Sequence, residues 1–173
     1  APTHAALADP IVRVDVFATV VFATTASYAA ADFSTTAQWV GATTAMVLFA
    51  VGVVAFLWSY WSAVQRSRDD EIAVSQLYLL LGDAIPKGVR RVMSLALVAQ
   101  FAIALATTLA RPDGPDGNPG SSLAVGFLVP MLGFGLNGLW AVRHGRFERR
   151  RVHAPTRDVP ATDDEIGQNA DHG

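Results

Sequence analysis

WVGATTAMVLFAVGVVAFLWSYWSAV, from Trp39 to Val64, holds no ionisable side chain other than Tyr60. A helix advances about 1.5 Å per residue and a hydrocarbon core takes about 20 apolar residues, so this stretch crosses a bilayer with length left for tilt. Three further uncharged or nearly uncharged stretches flank it: Val14 to Ala31, Val92 to Ala110 and Ser122 to Val142. The 173 residues are 51% hydrophobic and only 16% charged, with a mean hydropathy of +0.32, a balance unusual for a soluble domain. The expected fold is an all-α integral membrane protein, a four-transmembrane-helix bundle over residues 1–151 followed by a polar tail, 152–173. Arg13, the apolar run after it and Ala29-Ala30-Ala31 imitate a signal peptide. We read that segment as a retained first span.

Lysine and arginine set the expected orientation. Arg66, Arg68, Lys87, Arg90 and Arg91 lie between the second and third spans, Arg143, Arg146, Arg149, Arg150, Arg151 and Arg157 follow the fourth, and Arg13 precedes the first. The other two connections carry only Arg111. Both termini and the central loop are therefore expected on the cytoplasmic side of the membrane, with the basic residues meeting anionic inner-leaflet lipid or a partner.

Within the central loop, residues 69–83 read as a cytoplasmic amphipathic helix capped by Ser67 or Asp69, with Ala73, Leu77, Leu80 and Leu81 as its apolar face. Such a helix either lies on the inner leaflet or docks onto a partner. The connection Arg111 to Ser122 is dense in Pro, Gly, Asp and Asn and reads as a solvated turn-rich loop. Asp113, Asp116 and Asn118 lack the bidentate glutamate of a calcium loop, so no metal is expected there. The tail TRDVPATDDEIGQNADHG has too little apolar surface to fold alone.

In lipid, helices associate by close packing of small residues and by interhelical hydrogen bonds. The fourth span, GFLVPMLGFGLNGLW from Gly126 to Trp140, places Gly126, Pro130, Gly133, Asn137 and Ala141 at intervals of four and three. That spacing gives a smooth face with one amide, a groove for a neighbouring helix. Pro130 is expected to free the carbonyl of Gly126 and bend the helix. Similar faces are expected on the second span (Gly41, Ala45, Leu48, Gly52, Ala55, Ser59, Ser62), the first (Thr19, Ala23, Ala26, Ala30) and the third (Ala99, Ala102, Ala106, Ala110). Four smooth faces can close on each other as a bundle, or serve a partner interface.

The inventory of reactive groups is short. There is no cysteine, and His4, His144, His153 and His172 lie outside the spans, which removes an intramembrane haem clamp. No HExxH, GxSxG, GxGxxG or P-loop pattern occurs. Gln100 and Asn137 are the clearest mid-span polar groups. Asp15, close to Arg13, is expected as a solvated or salt-bridged residue at the end of its span. No catalytic activity, cofactor or nucleic-acid partner is expected.

The alanine- and arginine-rich composition, the four-span plan and the exit WAVRHGRFERR resemble small integral membrane proteins of actinobacteria without an assigned activity. That resemblance covers the whole chain but rests on no diagnostic motif. It implies a non-catalytic accessory subunit of a larger inner-membrane complex, an Mce-type lipid importer first and a respiratory supercomplex second. A small stand-alone transporter or lipid-binding protein, or a homo-oligomer formed through the Gly126 to Asn137 face, uses the same residues.

Overall fold

The computed structural model describes residues 6–66, 74–80, 85–114 and 121–145. In chain order its elements are α1 (Pro10–Asp32), α2 (Thr35–Arg66), a short α3 (Val74–Tyr78), α4 (Lys87–Ala110), a 3₁₀ segment (Ser122–Leu128) and α5 (Pro130–His144). Four helical stretches, α1, α2, α4 and Ser122–His144, are long and apolar enough to cross a membrane.

Local chemistry explains the boundaries. α1 begins ahead of the apolar run because Asp9 caps it, its Oδ1 accepting from the Ile11 N–H at 2.8 Å, and Pro10 fills the first position, where no N–H is needed. It ends at Phe33, whose left-handed backbone (φ 50°) returns its N–H to the Ala29 carbonyl. The Ser34 hydroxyl then accepts from the Ala37 N–H and starts α2 at once. The result is a tight hairpin.

Side-chain contacts fix the directions of the helices. Gly41 of α2 lies against Ala29 of α1, Gly52 of α2 against Leu132 of α5, and Gln100 of α4 reaches Asp15 of α1. Arg111, just past α4, donates to the Ala30 carbonyl at 3.1 Å and covers the Phe33 ring. Successive spans therefore run up and down, α4 parallel to α1 and α5 parallel to α2. One end of the bundle gathers Arg66, Lys87, Arg90, Arg91 and Arg143, and we call it the basic end.

The fourth span is the centre of the bundle. Its apolar window is 61% buried, against 22–33% for the other three. This accounts for its glycines: a helix surrounded on several sides needs more than one smooth face. Pro130 does not bend an α-helix. It opens α5 after a 3₁₀ turn, and the Gly126 carbonyl is satisfied by the Val129 N–H at 3.0 Å.

Two expectations are revised here. Of the amphipathic segment 69–83, the described helix covers only Val74–Tyr78, and Leu80 already has a left-handed backbone (φ 53°). Ser67, Asp69, Ala73 and Leu81 lie outside the described residues. Leu77, Tyr78 and Leu80 are buried, and Tyr78 stacks on Phe56 of α2 at 4.4 Å, so this apolar surface is covered by the chain's own bundle. The third-span stripe also turns the other way: Ala102, Ala106 and Ala110 are exposed, while Ala96, Gln100, Ala104 and Thr107 face inward.

Candidate functional site

The most distinctive chemistry in the bundle is a polar cluster where α1 and α4 meet beside α5. Asp15, roughly 7–8 Å along α1 from Pro10, is fully buried, as is Gln100. It is not the solvated end residue expected from its nearness to Arg13, because packing of α1 against α4 and α5 closes water off that face of the helix. The Gln100 amide donates through Nε2 to Thr19 Oγ1 at 2.9 Å and to Asp15 Oδ1 at 3.3 Å. Thr19 in turn donates to the Asp15 carbonyl at 2.8 Å. Asp15 Oδ2 and Gln100 Oε1 have no hydrogen-bond partner among the described residues. Gly133 completes the site, since a Cβ there would lie 3.0 Å from Gln100 Oε1 and 2.8 Å from Leu97.

A carboxyl cut off from water and held by one long amide bond needs something more to satisfy its second oxygen, whether a proton, a cation or a further donor. The cluster can therefore hold one small positive charge in the span. Among the described residues no group of three His, Cys, Asp or Glu side chains that could hold a metal ion occurs.

Three further polar ties lie toward the basic end. Asn137 donates through Nδ2 to the Tyr78 carbonyl at 2.9 Å, fastening the segment after α2 to α5, and its Oδ1 is left without a partner among the described residues. Asp9 uses its second oxygen to accept from Trp140 Nε1 at 2.8 Å, with His144 Nδ1 at 3.8 Å. Arg66 donates to the Val142 carbonyl at 2.7 Å and so caps the last turn of α5.

The packing residues read from the sequence fall on four different helix pairs. Gly41 meets α1, Gly52 meets α5, and Gly126 lies against Phe22 of α1 and Ala104 of α4. Gly133 faces α4, while Pro130 and Asn137 are buried. The Gly126 to Asn137 face is thus occupied by the chain's own helices. Among the basic residues, Arg66 and Arg90 are partly buried, and Lys87 and Arg91 are exposed. Arg68, Arg149, Arg150 and Arg151 lie outside the described residues.

Sequence reasoning passed over Gly135 and Gly138, which make the closest approach to α2. A Cβ at Gly135 would collide with the Gly52 carbonyl, and one at Gly138 would lie 2.5 Å from Ser59 Oγ. Their spacing of three was a readable signal. Asp9 was missed too, although an acidic residue directly before a proline at a span start is a capping signature.

Set beside known proteins, the chain matches no family, no curated protein and no solved structure.

Proposed function

We propose that this chain is a non-catalytic accessory subunit that docks within the membrane onto a larger complex, an Mce-type lipid importer being the first candidate and a respiratory supercomplex the second. The observation that supports docking is the outward turn of α4. Ala102, Ala106 and Ala110 form a smooth exposed stripe that the bundle itself does not cover. Small residues at this spacing let a second helix backbone approach closely, an advantage that packing against fluid acyl chains does not require. The resemblance to small actinobacterial membrane proteins supports the choice of complexes. In this reading the basic end and both termini face the cytoplasm. Reporter fusions after Gly117 and after Gly173 then fall on opposite sides of the membrane.

The test is gentle detergent extraction of the tagged protein and mass spectrometry of what copurifies, repeated with Ala106→Leu. A partner set present with the native chain and lost with the variant, at unchanged bundle stability, is the expected result. A protein that runs alone at its own mass ends the docking reading. The Asp15 cluster supports a second reading, a small stand-alone carrier coupled to a cation. Uptake of a solute by the isolated protein in liposomes, abolished by Asp15→Asn, would replace the first reading with the second.

A further inference from the structure

We propose that the groove between α2 and α5 is a binding site for one anionic phospholipid, an acyl chain lying in the groove and the headgroup phosphate on Arg143. The groove encloses about 540 Å³ and runs from Ala50 past Val54 and Leu136 to Trp58 and Leu139. Ala50 to Trp58 is roughly 12 Å along α2. The groove exists because of the glycine seam beside it. Gly52 and Gly135 draw the two backbones together, while Ala50 and Ala55 leave the outer side of the crossing unfilled.

Charge selects the occupant. Among the described residues Arg143 is the one charged side chain lining the groove, it sits at the basic end, and it is exposed. Among the described residues it makes no ion pair or side-chain hydrogen bond, whereas neighbouring Arg66 is committed to the Val142 carbonyl. A guanidinium presents a planar fork of donors that fits a phosphate, and it stands where an apolar channel opens toward the headgroup layer. Trp58, 64% exposed, lines the same mouth with an amphipathic ring suited to that layer. An apolar slot ending in one cation matches a lipid with a single negative phosphate. This site uses a different surface from the α4 stripe and stands whether or not a partner docks there.

The test is native mass spectrometry of the full chain released from vesicles containing equal amounts of phosphatidylglycerol and phosphatidylcholine. One retained phosphatidylglycerol is expected, preferred about fivefold, the effect of one basic side chain at an anionic surface. Arg143→Gln should abolish the preference, and Lys87→Gln, which removes a charge from the same end but away from the groove, should leave it intact. Val54→Trp, at an exposed position on the groove wall, should reduce retention of both lipids. Ala50→Leu serves the same purpose should the larger substitution fail to fold. Equal retention of both lipids by the native chain overturns the proposal. So does an equal loss with Lys87→Gln and Arg143→Gln, or unchanged retention in a folded variant with the groove filled.

Discussion

Where α2 crosses α5 the two backbones meet, and where α1 crosses α4 side chains do the joining. At the first seam Gly52, Gly135 and Gly138 leave no room for a Cβ, and the neighbouring atoms are mostly backbone or short side chains. At the second, Asp15, Thr19 and Gln100 make a hydrogen-bonded link across buried surface. Lipid offers no hydrophobic gain for pressing one leucine against another, so each seam relies on one of the two remaining forces, close dispersion contact or polar pairing. The difference teaches that the seams should fail differently. The glycine seam fails by steric exclusion, which no rotamer can relieve. The polar seam fails by leaving a partner unsatisfied, which removal of that partner can cure.

The largest effect is expected at the glycine seam. Gly135→Leu or Gly52→Leu forces the backbones apart and should cost about 3 kcal/mol or more, read as loss of the folded fraction in denaturant titrations in micelles. Gly126→Ala sharpens the point, because its Cβ would press on the edge of the Phe22 ring at 3.2 Å and rest at ordinary contact distance, 3.7 Å, from the Ala104 methyl. A side chain can yield where a backbone cannot, and about 1 kcal/mol or less is expected. Equal damage from Gly126→Ala and Gly135→Leu would contradict the steric account.

Next comes the polar seam. Gln100→Leu removes the amide that holds both Asp15 and Thr19, and should destabilise by about 1–3 kcal/mol in the same titration. The double variant Asp15→Leu with Gln100→Leu should recover much of that loss, since both members of the buried pair are then apolar. A double variant as unstable as the sum of the singles would show that the pair acts through shape alone.

Smaller effects are expected at the ties outside the two seams. Asn137→Leu cuts the bond to the Tyr78 carbonyl and should cost about 0.6–1.7 kcal/mol, with faster amide exchange around Tyr78 than around α4. Arg111→Ala removes a cation over the half-buried Phe33 ring and one carbonyl contact, and should cost about 0.5–1 kcal/mol.

Along the chain, apolar length was enough to count four candidate spans, and glycine spacing was enough to mark Gly41, Gly52, Gly126 and Gly133 as places of close approach. Those are local properties: a run of apolar residues partitions into lipid, and a missing side chain leaves room, whatever lies opposite. Which helix fills the room is a different matter, and only the packed bundle decided it. Gln100 shows the reason. Its link to Asp15, 85 positions away, sets the rotation of α4 about its own axis. At roughly 100° per residue, turning Gln100 inward carries Ala96, Ala104 and Thr107 with it and swings Ala102 and Ala106 to the far side. Pattern alone marked the alanine stripe as packing surface, but the hydrogen bond directs it outward. The same long-range closure buries Asp15, which its sequence neighbours place at a wet interface, because exposure depends on what the other helices cover.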